Sequence, residues 1–287
     1  VQIDVEMNLT TLPFDAWRRN VYSQCGEDGI IEQLIEMTGL SQRYFVEFGA
    51  WDGRHLSNCA KLADEGWSGC FIEGDKERWL VLNENYADRP NIVRVNTFVG
   101  SEGNALLDNV LEQVNAPADP GVLSIDIDGT DYHVWAALKR YRPTIVVVEF
   151  NPSIPAPVLF VQDNDASVKM GSSLSAFTHL AAEKGYCLVA TTDWNAFFVP
   201  RDLCISKGIQ VYQPSQVKKR DYEAYLFHGY DGTMIVAGHR QLIWHSVEYG
   251  PTELQLVPAE LRRFPLGHPD EYYRLLQAFR DRSRKDD

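Results

Sequence analysis

Apolar runs alternate with amphipathic stretches over most of the 287-residue chain. "RYFVEFG", "SGCFIEG", "NIVRVNTFV", "VLSIDID" and "TIVVVEFN" are nearly continuous in Val, Ile and Phe. That is the pattern of strands buried on both faces. Between them "HLSNCAKLADEG", "KERWLVLNENY", "NALLDNVLEQV" and "DYHVWAALKRY" read as helices. Strand and helix in alternation predict a parallel sheet joined by right-handed crossovers. "SLSAFTHLAAEKG" predicts one more helix, with Gly185 suited to its C-terminal cap. "YCLVATT" and "AFFVPRD" follow, separated only by Asp193-Trp194-Asn195. So short a link cannot cross over a sheet, so these two strands are expected to form an antiparallel hairpin.

This pattern divides the chain into three parts. Residues 1–40 precede the first strand and form an N-terminal helical cap, with a helix over "EDGIIEQLIEMTG". Residues 41–210 form the α/β core. Residues 151–171, "NPSIPAPVLFVQDNDASVKMG", are rich in Pro and Asp, lack periodicity and read as a lid-like loop. Residues 211–287 form a C-terminal extension, with strands over "TMIVAG" and "RQLIWH" and a helix over "DEYYRLLQAFRDR". Those tail strands fit core packing or pairing in a homo-oligomer.

Composition narrows the partners. The chain is 45% hydrophobic, enough for a sizeable core. No apolar run is long enough to predict a membrane span. The N-terminal stretch lacks the basic start and apolar run of a signal peptide, and its start without Met leaves room for residues upstream. The formal net charge of −13 argues against a nucleic-acid partner. The five cysteines, Cys25, Cys59, Cys70, Cys187 and Cys204, show no CxxC spacing and read as reduced thiols of a cytoplasmic protein.

The first strand ends in "YFVEFGAWDGRHLSN". In an open α/β sheet the ligand lies beyond the carboxyl ends of the strands, so Glu47, Gly49, Asp52 and Gly53 sit at that mouth. Pyrophosphate is bound by bare amides at a helix N-terminus, and carboxylates there repel it. They suit a cationic ligand, and S-adenosylmethionine carries both an ammonium group and a sulfonium. Glu73, at the end of the second strand in "FIEGD", is placed to accept hydrogen bonds from a ribose diol. Nicotinamide cofactors use the same feature.

"YSQCGEDGIIEQL", "YFVEFGAWDGRHLSN", "GWSGCFIEGD" and "GYCLVATTDWNAFFV" together resemble the FkbM-type family of S-adenosylmethionine-dependent methyltransferases, over roughly residues 22–205. The resemblance implies a Rossmann-like class I methyltransferase fold: a mostly parallel seven-stranded sheet with a terminal antiparallel hairpin. It implies methylation of hydroxyl groups on natural products and sugars. It also implies that Ser23, Gln24, Gly26, Glu27 and Asp28 form a lead-in closing over the cofactor. Glu47, Gly49, Asp52, Gly53, Ser57 and Asn58 match the first-strand motif, and Glu73 the ribose acid. Ser23 or Asp28 equally fits a plain helix N-cap.

"LSIDIDGTDYHVW" and "VVVEFNPSIP" bring Asp126, Asp128, Glu149 and Asn151 to the same crevice. Oxygen ligands from adjacent strand ends suit Mg²⁺. By similarity to metal-dependent O-methyltransferases, Asp126, Glu149 and Asn151 would be ligands and Asp128 the base. His133, in the first turn of the following helix, is the other candidate base. Without a metal, Asp126 contacts the cofactor or caps a helix, and Glu149 and Asn151 bind the acceptor. The resulting expectation is O-methylation of a small molecule, with S-adenosylmethionine and a divalent metal as cofactors. Three alternatives stand beside it: N-methylation of an amine or guanidine, a non-catalytic cofactor-binding scaffold, and a nicotinamide-dependent oxidoreductase.

Overall fold

Seven strands form one sheet in the order β3-β2-β1-β4-β5-β7-β6. β1 (Tyr44–Phe48), β2 (Ser68–Glu73), β3 (Ile92–Asn96), β4 (Val122–Ile125) and β5 (Ile145–Glu149) run parallel. β7 (Asn195–Pro200) inserts antiparallel between β5 and β6 (Tyr186–Thr191). This is the Rossmann-like methyltransferase plan, hairpin included. The computed structural model describes residues 11–264 and 266–283. One compact unit runs through Lys219, and a second begins at Arg220.

The parallel strands are buried from end to end, which is why they read as unbroken apolar runs. Val46, Phe71, Leu123 and Val147 are all inaccessible to solvent. Burying such a side chain contributes about 1.5–3 kcal/mol. Around the sheet lie α1 (Glu27–Thr38), α2 (Ala60–Asp64), α3 (Lys76–Asn85), α4 (Leu107–Gln113), α5 (Asp131–Ala137) and α6 (Leu174–Glu183). Local chemistry sets several ends. Asp75 caps α3 by accepting from the amides of Glu77 and Arg78, and Ser173 caps α6 by accepting from Ala176 N. Gly185 follows α6 with a φ of 79°, the left-handed turn that ends a helix. Trp135 of α5 is fully buried, its ring 5.1 Å from that of Phe198 on β7.

Some elements differ from the sequence reading. The helix expected from His55 starts at Ala60, because the preceding turns are wound around Glu47. The strand expected over "AFFVPRD" stops at Pro200, and Arg201–Lys207 form α7, since proline cannot continue the ladder. α8 (Pro214–Val217) completes the first unit. In the second, β8 (Ala224–His228) pairs antiparallel with β9 (Met234–Gly238). Of "RQLIWH" only β10 (Gln241–Leu242) is extended, paired with β11 (Val247–Glu248). Ile243–His245 form a 3-10 turn instead, and α9 (Asp270–Ser283) closes the described chain. No helix among the described residues is long and apolar enough to cross a membrane.

Candidate functional site

The sheet order reverses between β1 and β4, which opens a crevice beyond their carboxyl ends. At the mouth of β1 the backbone turns through Gly49 and Gly53, with φ of 73° and 74°. A β-carbon at Gly49 would overlap the Asp126 carbonyl oxygen, so glycine lets the turn lie against the end of β4. Glu47 is buried beneath this turn. Its carboxylate accepts from Ser57 Oγ at 2.6 Å and from Asn58 N at 2.9 Å, and Asn58 Nδ2 donates to Ser124 Oγ at 3.0 Å. Burial pushes the Glu47 carboxyl up to about 7, against the lowering effect of these bonds. Asp52 accepts from the amides of Arg54 and His55 at 2.9 and 2.7 Å. Both acids of the turn therefore hold its own main chain.

The lead-in is a buried clasp. Asp28 Oδ2 accepts from the amides of Val21, Tyr22 and Ser23, and Ser23 Oγ both donates to it and accepts from Asp28 N. Glu27 accepts from Cys25 N, Thr192 Oγ1 and Asn195 Nδ2, tying the start of α1 to the β6–β7 hairpin. Gly26, with a φ of 100°, packs so close to Arg18 that no β-carbon fits. Gln24 is exposed, and its carbonyl accepts from Asn20 Nδ2.

Glu73 ends β2 with its carboxylate accepting from Trp51 N at 2.8 Å and Asp75 N at 2.7 Å. Two aromatic rings flank this point, and neither was singled out by sequence reasoning. Trp51 has a φ of 51°, is 45% exposed, and lies under the Arg78 guanidinium at 3.7 Å. Phe98 is 75% exposed, and its ring covers Gly74 so closely that a β-carbon there would overlap it.

The β4–β5 register pairs Ile125 with Val148, which sets the next residues, Asp126 and Glu149, side by side. Asp128 joins them, with a φ of 57° that turns the chain back. Carboxylate oxygens of all three lie within 4.8 Å of one another. Among the described residues no cationic side chain pairs with Asp126 or Glu149. Loss of water, then repulsion from Asp131 and Asp128, holds the Asp126 carboxyl well above its ordinary range. Glu149 is raised for the same reason, with Asp126 its chief repelling neighbour.

Other polar groups frame the cluster. Asp131 accepts from Ile127 N and Gly129 N, both at 2.8 Å, and so closes the β4–α5 turn. Asn151 is turned the other way: Nδ2 donates to Met170 O, and Oδ1 accepts from Ser153 N and Oγ. Both ends of its amide thus organise the 151–171 segment. Gln162, almost wholly buried, holds that segment from within, accepting from the amides of Met170 and Gly171 and donating to Val168 O. Two bonds bring the segment to the site. Lys169 Nζ donates to Ile127 O at 3.1 Å, and His133 Nε2 lies 2.8 Å from Gln162 O. A carbonyl only accepts, so Nε2 carries the proton and Nδ1 is the basic nitrogen of His133.

No protein-family model and no curated protein matches the chain. Among solved structures, it is similar to the N-terminal domain of EvdMO1 with SAH bound, at 10% identity and a TM-score of 0.40 over 60% of this chain and 79% of that one. It is also similar to a SAM-dependent methyltransferase from Aquifex aeolicus, at 12% identity and a TM-score of 0.37 over 58% of this chain and 87% of that one.

Proposed function

We propose that the protein is an S-adenosylmethionine-dependent methyltransferase acting on a hydroxyl of a small molecule, sugar or natural product. One observation carries the reading: the acids gathered at the ends of β4 and β5 have no cationic side chain to pair with among the described residues. At an effective dielectric of about 20, charges this close repel by roughly 3 kcal/mol per pair. Such a site favours a cationic ligand and disfavours pyrophosphate, which speaks against a nicotinamide cofactor. The resemblance to the FkbM-type family supports the choice of a hydroxyl acceptor.

The donor chemistry fits the cofactor. The bonded oxygens of Glu73 each keep a lone pair for a ribose diol. Trp51 and Phe98 present apolar faces beside it for a planar base. Asp126 and the Gly49–Gly53 turn would face the cofactor's cationic end. Bound there, S-adenosylmethionine supplies an electrophilic methyl group.

The cluster also fits a divalent metal, with Asp126, Asp128 and Glu149 as oxygen ligands. Asn151, occupied by the 151–171 segment, is replaced in that set by Asp128. A metal there supplies positive charge that lowers the pKa of an acceptor hydroxyl. The acceptor's proton goes to Asp128 where no metal engages it, and to His133 Nδ1 where one does. The 151–171 segment reaches the site through Lys169 and fixes His133 through Gln162. The same unpaired acids would welcome a cationic amine, so N-methylation is the second reading.

Titration of a Glu73→Ala variant with S-adenosylhomocysteine tests the assignment. Binding is expected to weaken about tenfold or more, as for loss of a charged hydrogen-bond acceptor. Unchanged affinity would remove Glu73 from the cofactor site.

A further inference from the structure

The second unit carries a concavity of about 650 Å³. That lies within the span of roughly 300–1,000 Å³ typical of small-molecule sites. The β10–β11 ribbon forms one wall and sets Gln241 directly opposite Glu248. Arg240, His239, Thr252 and Glu253 complete the lining used in the argument. Arg240 is fixed by donating from Nη2 to Val236 O at 3.1 Å, which leaves its other N–H groups for a ligand. Glu253 Oε2 accepts from Gly250 N at 3.0 Å. The Gln241 amide, the Glu248 carboxylate and the Thr252 hydroxyl make no side-chain hydrogen bond or ion pair among the described residues. His239 Nε2 is shielded from solvent and has no partner there either. A buried nitrogen left unpaired is costly, by about 1–3 kcal/mol.

We propose that this concavity binds a neutral polyhydroxylated ligand, a sugar ring or a polyol. The charges select against the other classes. Glu248 and Glu253 oppose an anion such as phosphate, and the single Arg240 cannot offset both. Arg240 in turn opposes a cation. The unpaired amide, hydroxyl and carboxylate offer an apolar ligand nothing and would be desolvated by it. Hydroxyls both donate and accept, so a sugar or polyol alone can answer Arg240, Gln241 and Glu248 together. Direct opposition of Gln241 and Glu248 on a paired ribbon fixes a donor and an acceptor at the spacing of neighbouring side chains across strands, about 4.5–5.5 Å. The concavity belongs wholly to the second unit.

Saturation-transfer NMR on the full chain tests the proposal, with D-glucose, D-galactose, L-fucose and sorbitol as probes and benzoate as comparator. At least one polyol is expected to give signal while benzoate gives none. That signal should fall at least tenfold in Gln241→Ala and in Glu248→Ala. Thr252→Val, on the exposed rim, serves if either of these fails to fold, judged by its amide spectrum. Silence from all four probes would overturn the proposal, as would benzoate binding more strongly. So would signal that persists in every folded variant.

Discussion

Gly49 and Asp126 touch main chain to main chain, with no room at Gly49 for a β-carbon beside the Asp126 carbonyl oxygen. This contact joins the mouth of β1, where the cofactor is proposed to lie, to the strand end that carries the acidic cluster. Gly49→Ala must therefore displace one or the other, and it also puts a side chain at a φ of 73°. We predict a loss of about 1–3 kcal/mol in stability, the usual cost of such backbone strain. Affinity for S-adenosylhomocysteine should fall in the fraction that still folds. Denaturant unfolding and titration of the same sample check both, and native stability with native binding would show that the contact can relax.

Glu47 links the same turn to pH. Its folded-state value of about 7 stands above the ordinary 4.5. The native state therefore holds a proton that the unfolded chain releases. The resulting stability is fully present below pH 4.5 and is lost as the pH rises through 7. One bound proton corresponds to a slope of about 1.4 kcal/mol per pH unit. Asp126, Asp131 and Glu149 are shifted in the same direction and add to the fall. Glu47→Gln should flatten the curve between pH 4.5 and 7 by about one proton's slope, whatever its offset in absolute stability. Parallel curves for the two proteins would mean that Glu47 titrates at its ordinary value.

The strands and their order of connection were legible because burial on both faces leaves an unbroken apolar run, as in "TIVVVEFN". The hairpin was legible from the three-residue link at Asp193–Asn195. The convergence of Asp126, Asp128 and Glu149 followed from their places at strand ends. What each polar group holds was less legible. Asp52 looked like a ligand for a cation, yet it serves the amides of Arg54 and His55. Asn151 looked like a metal ligand, and its amide turns to Met170 and Ser153 instead. Asp131 and Gln162 gave no signal, because their partners are main-chain groups brought near only by the folded loops. Phe98 was hidden within a strand-like run, although the run's paired strand ends at Asn96. Short elements fared worst: α7 and β8 are too brief for periodicity to stand out.

The cluster makes a prediction about metals. Asp126 and Glu149, held well above the ordinary carboxyl range, should release protons when the cluster binds a divalent cation. Mn²⁺ at a hundredfold excess over its Kd should stabilise the protein by about 2.7 kcal/mol, and more weakly at lower pH. Chelator should reverse the effect. Glu149→Gln and Asp128→Asn should each abolish most of it, and Asn151→Ala should not. A melting temperature indifferent to Mn²⁺ and to chelator would assign the acids to a cationic acceptor instead.

The central claim is tested most directly by calorimetric titration of the full chain with S-adenosylhomocysteine, beside NAD as comparator. That ligand keeps the ammonium group and the ribose, the parts expected to meet the acidic mouth and Glu73. The account predicts binding near micromolar, about −8 kcal/mol, with NAD silent. No heat from S-adenosylhomocysteine, or binding of NAD in its place, would contradict it.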